Sequence, residues 1–594
     1  MFENRREPAF GATKVGNSRT ASFRYQLVGW CELIAREVVK ARALNNHSDM
    51  IDKYLLDALE ASSELSCLDA ASLTKMLLCG DYVLQLAQAM TEETSPDVIA
   101  ELETQVADAV AGIQPPDDAL VADMEAQGGG YLPESRLAAL GEERFAIVET
   151  IGSALVGAAE NLSRALKLSV SACQELEFEA IGLRNHLESL KPKERRERRA
   201  ELTEEANELE ERAAQWRAKN REALDAVVDA LDAISRPETT EEALYDVLVN
   251  VGKLNATALE LLEKGVTSKY GEPTPVGALT SPKPGKCVLY SGEDLDVLAA
   301  LLDQAEFNEV DVWTRGEAIA AHGYKCLRDK PRLAGHYGGS WRNQQHELGA
   351  FPGGIIVDKT PVDEPDDSYA PYMFSTTPTI WESVRTLPKK NDGTYNMTPA
   401  VRAAKDSSGF FRSPNVSKLP VGFGGPALME TVEHASRAFR AGRLSKVVVV
   451  GGQDVAGDAC DYFTRLFAAV GDDSFVLAFG DVKFRFDPAL VTPTQFGVTR
   501  LVDVGRERDA NASLRFVDAF AKELDRDAAT VPVEFFVSLW GETSVAYLLT
   551  LIALGYRKIV VGPNPPACWT PAFIDVLRER YGVRLASDPE TDLS

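Results

Sequence analysis

Two different periods of apolar residues divide the chain. Up to about residue 268, apolar positions recur at helical spacing, as at Tyr54, Leu55, Ala58 and Leu59, in a background rich in Ala, Leu and Glu. Gln114-Pro115-Pro116-Asp117 and Gly128-Gly129-Gly130 punctuate this region as turns. Lys191 to Glu222 is densely charged, with Leu202, Leu209, Ala213 and Trp216 as a thin apolar stripe. That pattern predicts a solvated helical hairpin arm over about 186–224; a docking arm for a partner is the sharper reading. A proline-rich link follows, with Pro273, Pro275, Pro282 and Pro284.

Beyond the link, short β-rich runs alternate with helical stretches. Strands are expected at Cys287–Tyr290, Val310–Trp313, Gly354–Val357, Val447–Val450, Phe475–Leu477, Phe535–Leu539 and Lys558–Val561. Helices are expected at Asp294–Glu306, Ala427–Ala441, Ala512–Leu524 and Thr543–Leu554. Such alternation predicts parallel sheets covered by helices. The loop-rich stretch from Asp358 to Pro420 is read as separating two such units. The predicted architecture is α/β with an N-terminal all-α domain: a helical bundle over 1–270, then doubly wound, Rossmann-like domains over 283–410 and 411–594, facing a shared cleft.

Composition narrows the function. At 45% hydrophobic and 26% charged residues, 594 residues suit several globular cores and exclude disordered, collagenous and disulfide-scaffold classes. Sixty-three basic against 90 acidic side chains give a net charge of −27. That argues against a nucleic-acid partner and against docking on an anionic membrane. No apolar run approaches the ~20 residues of a membrane span. Glu3 and Glu7 interrupt Met1–Trp30, so no secretory signal is read there. The eight cysteines, Cys31, Cys67, Cys79, Cys173, Cys287, Cys326, Cys460 and Cys568, form no CxxC pair. They read as reduced thiols in a cytoplasmic compartment, an organelle matrix being the other option.

In open α/β sheets, ligands bind beyond the carboxyl ends of the strands. Here those ends carry acids, several preceded by glycine: Gly292-Glu293-Asp294, Gly316-Glu317, Gly451-Gly452-Gln453-Asp454, Gly480-Asp481, Gly505-Arg506-Glu507 and Gly541-Glu542. Asp294, Asp454 and Glu542 also fit plain helix N-terminal roles. Gly422-Phe423-Gly424-Gly425-Pro426 lacks nucleotide-loop spacing and reads as a tight turn. Cys287 reads as a core thiol and His434 as a residue without catalytic duty. Cys460 is placed near the cleft, more as a packed thiol than a reactive one.

A resemblance adds to this reading. Lys269-Tyr270-Gly271-Glu272-Pro273-Thr274-Pro275, Gly285-Lys286-Cys287-Val288-Leu289-Tyr290-Ser291-Gly292, Gly316-Glu317 with Ala321-His322-Gly323-Tyr324, Tyr337-Gly338-Gly339-Ser340-Trp341, Val421-Gly422-Phe423-Gly424, Tyr462-Phe463-Thr464 and Arg500-Leu501-Val502-Asp503 stand in order over about 300 residues. Together they resemble the hybrid-cluster proteins, also called prismane proteins or hydroxylamine reductases. The resemblance implies an N-terminal cysteine-held iron–sulfur cluster, and a hybrid Fe–S–O cluster held between the α/β domains by one His, two Glu and four Cys.

This chain departs from that pattern. Glu3 and Arg6 stand where the first N-terminal cysteines would be. Carried over by position, the cluster His corresponds to Glu293, the two Glu to Glu317 and Glu542, and the cysteines to the neighbourhood of Pro361, Gln453, Phe479 and Glu507. Thiolates are the usual ligands of such clusters, so none is expected. Two readings follow. In one, Glu293, Glu317, Gln453, Glu507 and Glu542 hold two divalent metal ions, iron or manganese, because clustered buried carboxylates need compensating charge and hard oxygen ligands suit such ions. His322, His336 or His346 would complete that shell. The site would do redox or oxygen-dependent chemistry on a small N–O substrate, with an external redox partner as electron donor. In the other, the chain is a metal-free pseudoenzyme acting as a partner subunit or scaffold. There Arg315, Lys359, Arg506 and Arg508 neutralise the acids, and Pro361 and Phe479 plug the cavity.

Overall fold

Long runs of Ala, Leu and Glu form the helices of the first region because such residues lose little side-chain freedom in a helix and leave one face to bury. The computed structural model describes residues 18–593 apart from 64–67, 93–94, 128–130, 132, 359–363, 380, 392, 412–416, 456–459, 487 and 492–498. The helices Ser18–Arg42, Asp49–Ser62 and Ala70–Ala89 pack beside three long ones, Glu142–Ser189, Pro192–Ser235 and Glu241–Tyr270. Two of these form the arm. The turn lies at Leu190 and Lys191, so the charged stretch is one limb of the hairpin and not the whole of it. Its own small core holds Ala180, Ala206 and Leu209.

Glu142–Ser189 is also long and apolar enough, by length and composition, to cross a membrane, but 94% of its apolar window is buried inside the protein. Hydropathy alone underestimated it because Glu149, Glu160 and Asn161 interrupt the run. These polar residues are buried, and Glu160 and Asn161 have partners in the cleft described below.

The second region holds two six-stranded parallel sheets. Across the first, the order is Leu333–His336, Asp311–Arg315, Cys287–Gly292, Gly354–Asp358, Met373–Ser375 and Arg385–Thr386. Across the second it is Leu501–Gly505, Ser474–Phe479, Lys446–Gly452, Val533–Ser538, Ile559–Val561 and Val583–Leu585. Numbered within each sheet, both run 3-2-1-4-5-6, the doubly wound dinucleotide-fold order. The central strands are buried throughout except at Lys446, which is why they read as nearly continuous apolar runs.

The stretch expected to be a separating loop contributes two strands to the first sheet, Met373–Ser375 and Arg385–Thr386, and the helix Thr398–Asp406. Strands of two or three residues are too short to show a period, so their pairing is decided by the neighbouring strand. Val276–Leu279 and Lys418–Val421 pair antiparallel and tie the segment before the first sheet to the segment before the second.

Close backbone approach fixes the helical region against the second sheet. A Cβ on Gly157 would lie 2.3 Å from the carbonyl oxygen of Glu542, and one on Gly252 would lie 2.0 Å from that of Leu549. Only glycine lets the two long helices reach the buried helix Glu542–Ala553 so closely.

Candidate functional site

Each doubly wound sheet has a switch point, where the chain reverses its direction of travel across the strands and leaves a crevice at their carboxyl ends. In the first sheet this lies between Cys287–Gly292 and Gly354–Asp358, and Glu293 follows the first of these strands. In the second it lies between Lys446–Gly452 and Val533–Ser538, followed by Gln453 and, a few residues on, Glu542. Glycine sets several of these side chains. Gly316 (φ +58°), Gly452 (φ +109°) and Gly505 (φ +130°) turn the backbone into regions other residues avoid, and release Glu317, Gln453 and the Arg506-Glu507-Arg508 turn into the crevice.

A cavity of about 450 Å³ opens there, walled by both sheets and the helical region. Its lining includes Glu293, Gln453, Glu507, Arg508 and Thr543 from the α/β part, and Asp57, Glu60 and Glu160 from the helices. The structure joins three of the five expected site residues directly. The Gln453 amide donates to Glu317 Oε1 at 3.0 Å and to Glu507 Oε2 at 2.7 Å. Glu317 Oε2 accepts from the Glu507 backbone N–H at 2.9 Å, and Glu507 Oε1 accepts from Ser544 at 2.5 Å. Burial, with Glu293, Glu507 and Asp481 nearby, pushes the Glu317 carboxyl well above the usual carboxylate range. Burial also raises Glu507, against the opposing hydrogen bonds from Ser544 and Gln453.

Glu293 is held differently. Arg508 bonds it through Nε, and Arg508 Nη2 reaches Glu160 at 2.8 Å. Burial opposes the charge of Glu293, but Arg508 and Arg164 outweigh it and hold the carboxyl at about 2. Arg508 also donates to Asn161 at 3.2 Å, and a buried ladder continues from Asn161 to Asn255 and on to Thr550 of the helix that begins at Glu542. The Glu542 carboxylate stands apart from these contacts and accepts from Ser63 at 3.4 Å.

The other expected partners have contacts of their own. Arg506 is bound by Asp509, and Arg315 by Glu347 at 2.7 Å. His322 and His336 both meet the Thr314 hydroxyl, at 3.1 and 3.0 Å; burial lowers the basicity of both, that of His322 to about 4. His346 is exposed. Phe479 is fully buried, its ring against Tyr547 and lying where a Cβ on Gly451 would meet it at 2.0 Å. Lys359, Pro361, Cys67, Glu3 and Arg6 lie outside the described residues. Sequence reasoning missed Glu160, Asn161 and Arg164. The signal was three polar side chains in the midst of the apolar run of one helix.

A family model described as Prismane/CO dehydrogenase matches residues 158–594. The chain belongs to the Prismane/CO dehydrogenase family. It is 34% identical over 377 residues to a hydroxylamine reductase of Acidiphilium cryptum, and 32% over 373 residues to one of Rippkaea orientalis. The matches cover 63% and 62% of this chain and 67% and 68% of those proteins. Among solved structures it resembles the carbon monoxide dehydrogenase of Thermococcus sp. AM4 and carbon monoxide dehydrogenase IV of Carboxydothermus hydrogenoformans. Each gives a TM-score of 0.57 over 75% of this chain, at 13% and 14% identity, and covers 84% and 86% of the other chain. At that identity the likeness shows the fold. An acetyl-CoA synthase/carbon monoxide dehydrogenase with the same score, at 12% identity over 76% of this chain and 81% of the other, is described as holding NiZn[Fe4S4] and NiNi[Fe4S4] clusters.

Membership of the Prismane/CO dehydrogenase family, with hydroxylamine reductases as relatives, overturns the expectation of two divalent ions in place of iron–sulfur chemistry. The geometry agrees that the ion pair was misjudged. Among the described residues, Glu293, Glu317, Glu507 and Glu542 nowhere bring three ligand atoms within 4.8 Å; the single such set is His47, Asp49 and Asp52, which Arg221 already engages. The physical error was to assume that clustered carboxylates need metal cations. Here an amide, a hydroxyl, a backbone N–H and Arg508 serve them. Nor do the described cavity walls supply thiolates, since no cysteine lines them. These side chains do not fit a thiolate-held cluster.

Proposed function

We propose that the cleft binds a small N–O compound of the hydroxylamine class and holds the protons its reduction consumes. The observation that carries this is the Glu507–Gln453–Glu317 chain: a cavity-lining carboxyl raised by burial, linked through one amide to a second raised one. Hydroxylamine offers N–H and O–H donors, and the wall offers acceptors in Glu507 and Glu293. Converting it to ammonia and water takes two electrons and two protons. Glu507 and Glu317 are proton-holding groups, and the electrons come from an external donor docked at the protein surface. The name carried by relatives matched over about two thirds of their length favours this substrate class.

The test is a calorimetric titration with hydroxylamine, comparing the full chain with Glu507→Leu and Glu507→Gln. Saturable binding that weakens at least tenfold in Glu507→Leu supports the reading. Binding that is absent, or indifferent to Glu507, refutes it.

A second reading, a partner subunit without chemistry of its own, is favoured by Phe479, which fills space beside the strand ends, and by Val170, Phe178 and Ile181, which stand exposed on the arm. Co-purification partners lost on deleting the arm, together with no hydroxylamine binding, would favour it.

A further inference from the structure

A second cavity, of about 160 Å³, lies on the far side of Glu293 and Arg508 from the first. In a chain of net charge −27 its wall is unusual, with Arg164, Lys167, Lys269, Arg506 and Arg508 against Glu293, Asp294 and Asp296. The acids are engaged. Asp294 caps the helix Leu295–Glu306, accepting from the Asp296 and Val297 amides at 2.8 and 3.3 Å. Asp296 pairs with Lys269 at 2.7 Å and accepts from Tyr270. Glu293 is bound by Arg508. Arg506 is held by Asp509, and its Nη1 reaches the Glu293 carbonyl at 2.9 Å.

Arg164 is the exception. Its contact with Glu293 is 3.6 Å, beyond hydrogen-bond length, and the same carboxylate oxygen is already taken by Arg508. Arg164 Nε and Nη2 are buried and have no hydrogen-bond partner. A guanidinium with buried unused donors is costly, and an oxyanion presents the planar pair of acceptors that its fork matches. The cavity is several times the ~30 Å³ that one water occupies in the liquid.

We propose that this cavity binds a compact oxyanion of the phosphate class, with Arg164 as the principal ligand and Lys167 beside it. The site is independent of the hydroxylamine reading. It shares only the Glu293–Arg508 wall with the first cavity.

The experiment is ³¹P NMR and calorimetric titration of the full chain with inorganic phosphate at constant ionic strength, with chloride as the control. Glycerol phosphate forms a second arm that separates the free ion from an esterified one. Expected is saturable phosphate binding absent with chloride, weakened tenfold or more by Arg164→Gln and threefold or more by Lys167→Gln. Arg184→Gln, out on the arm, leaves it unchanged. Lys167 is exposed, so its variant tests the site even if Arg164→Gln fails to fold. Phosphate behaving as chloride does, or binding that neither Arg164→Gln nor Lys167→Gln weakens, overturns the proposal and leaves a water-filled cavity.

Discussion

Arg508 is the keystone of the cleft's charge balance, and replacing it with methionine is the most informative single perturbation. The guanidinium is buried among Glu293, Glu160 and Asn161. Methionine keeps much of the volume and removes the charge. Two routes give the cost. Removing one partner of a buried ion pair typically costs about 3–5 kcal/mol, because the other charge stays behind. Independently, Glu293 is held at about 2 against an ordinary 4.5. A shift of that size corresponds to about 3 kcal/mol at about 1.4 kcal/mol per unit, shared among Arg508, Arg164 and Arg506 and net of the burial that opposes it. The pH dependence is therefore the decisive readout. A carboxyl with a depressed folded-state pKa contributes stability above its unfolded value and loses it as pH falls through the folded one. The gap between wild type and Arg508→Met is therefore greatest at neutral pH and shrinks between about pH 4.5 and pH 2. The assay is urea unfolding followed by fluorescence at pH 7 and at pH 4, at one salt concentration. A gap below about 1 kcal/mol at pH 7, or one that widens on acidification, refutes the reasoning.

Three further outcomes follow from the same structure. Asp481 is raised to about 7 by burial and by Asp454, so the folded protein loses stability as pH rises from about 4 to 7; Asp481→Asn removes this term and is more stable than wild type by at least about 1 kcal/mol at pH 8, with no advantage at pH 4, measured by urea midpoints. Phe479→Ala leaves a void beside Gly451 and Tyr547 and costs about 3–5 kcal/mol; a loss under 1 kcal/mol would show that the ring does not fill the crevice. Gly252→Ala drives a methyl into the Leu549 carbonyl and costs about 1–3 kcal/mol, whereas Gly152→Ala, with open space around it, gains about 0.5–1 kcal/mol; equal thermal shifts for the two would contradict the close helix approach.

The site's geography was legible because strand ends are legible. A buried apolar strand followed by glycine and a polar side chain marks the exit of a parallel strand; Glu293, Glu317, Gln453 and Glu507 stand at such exits, and the family resemblance singled them out among the polar residues there. Their chemistry was less legible. The sequence shows which acids stand near one cleft, but not that Gln453 spans two of them with one amide, or that Arg508 claims Glu293. Asp358 to Pro420 misled because its strands, Met373–Ser375 and Arg385–Thr386, are too short to carry a period.

By itself the sequence determined the helical first region, the alternating second, and the departure from cysteine at the carried-over positions, since each is a local property of spacing or residue type. The tertiary structure alone decided the rest. It folded both sheets into the same 3-2-1-4-5-6 order, which depends on pairings between strands far apart in the chain. It brought Glu160 and Asn161 against Arg508, more than 300 residues away, and Arg164 against Glu293, and so pushed the carboxyls of Glu293 and Glu317 in opposite directions. Ionisation depends on burial and on neighbours within a few ångströms, and neither is written in the order of residues.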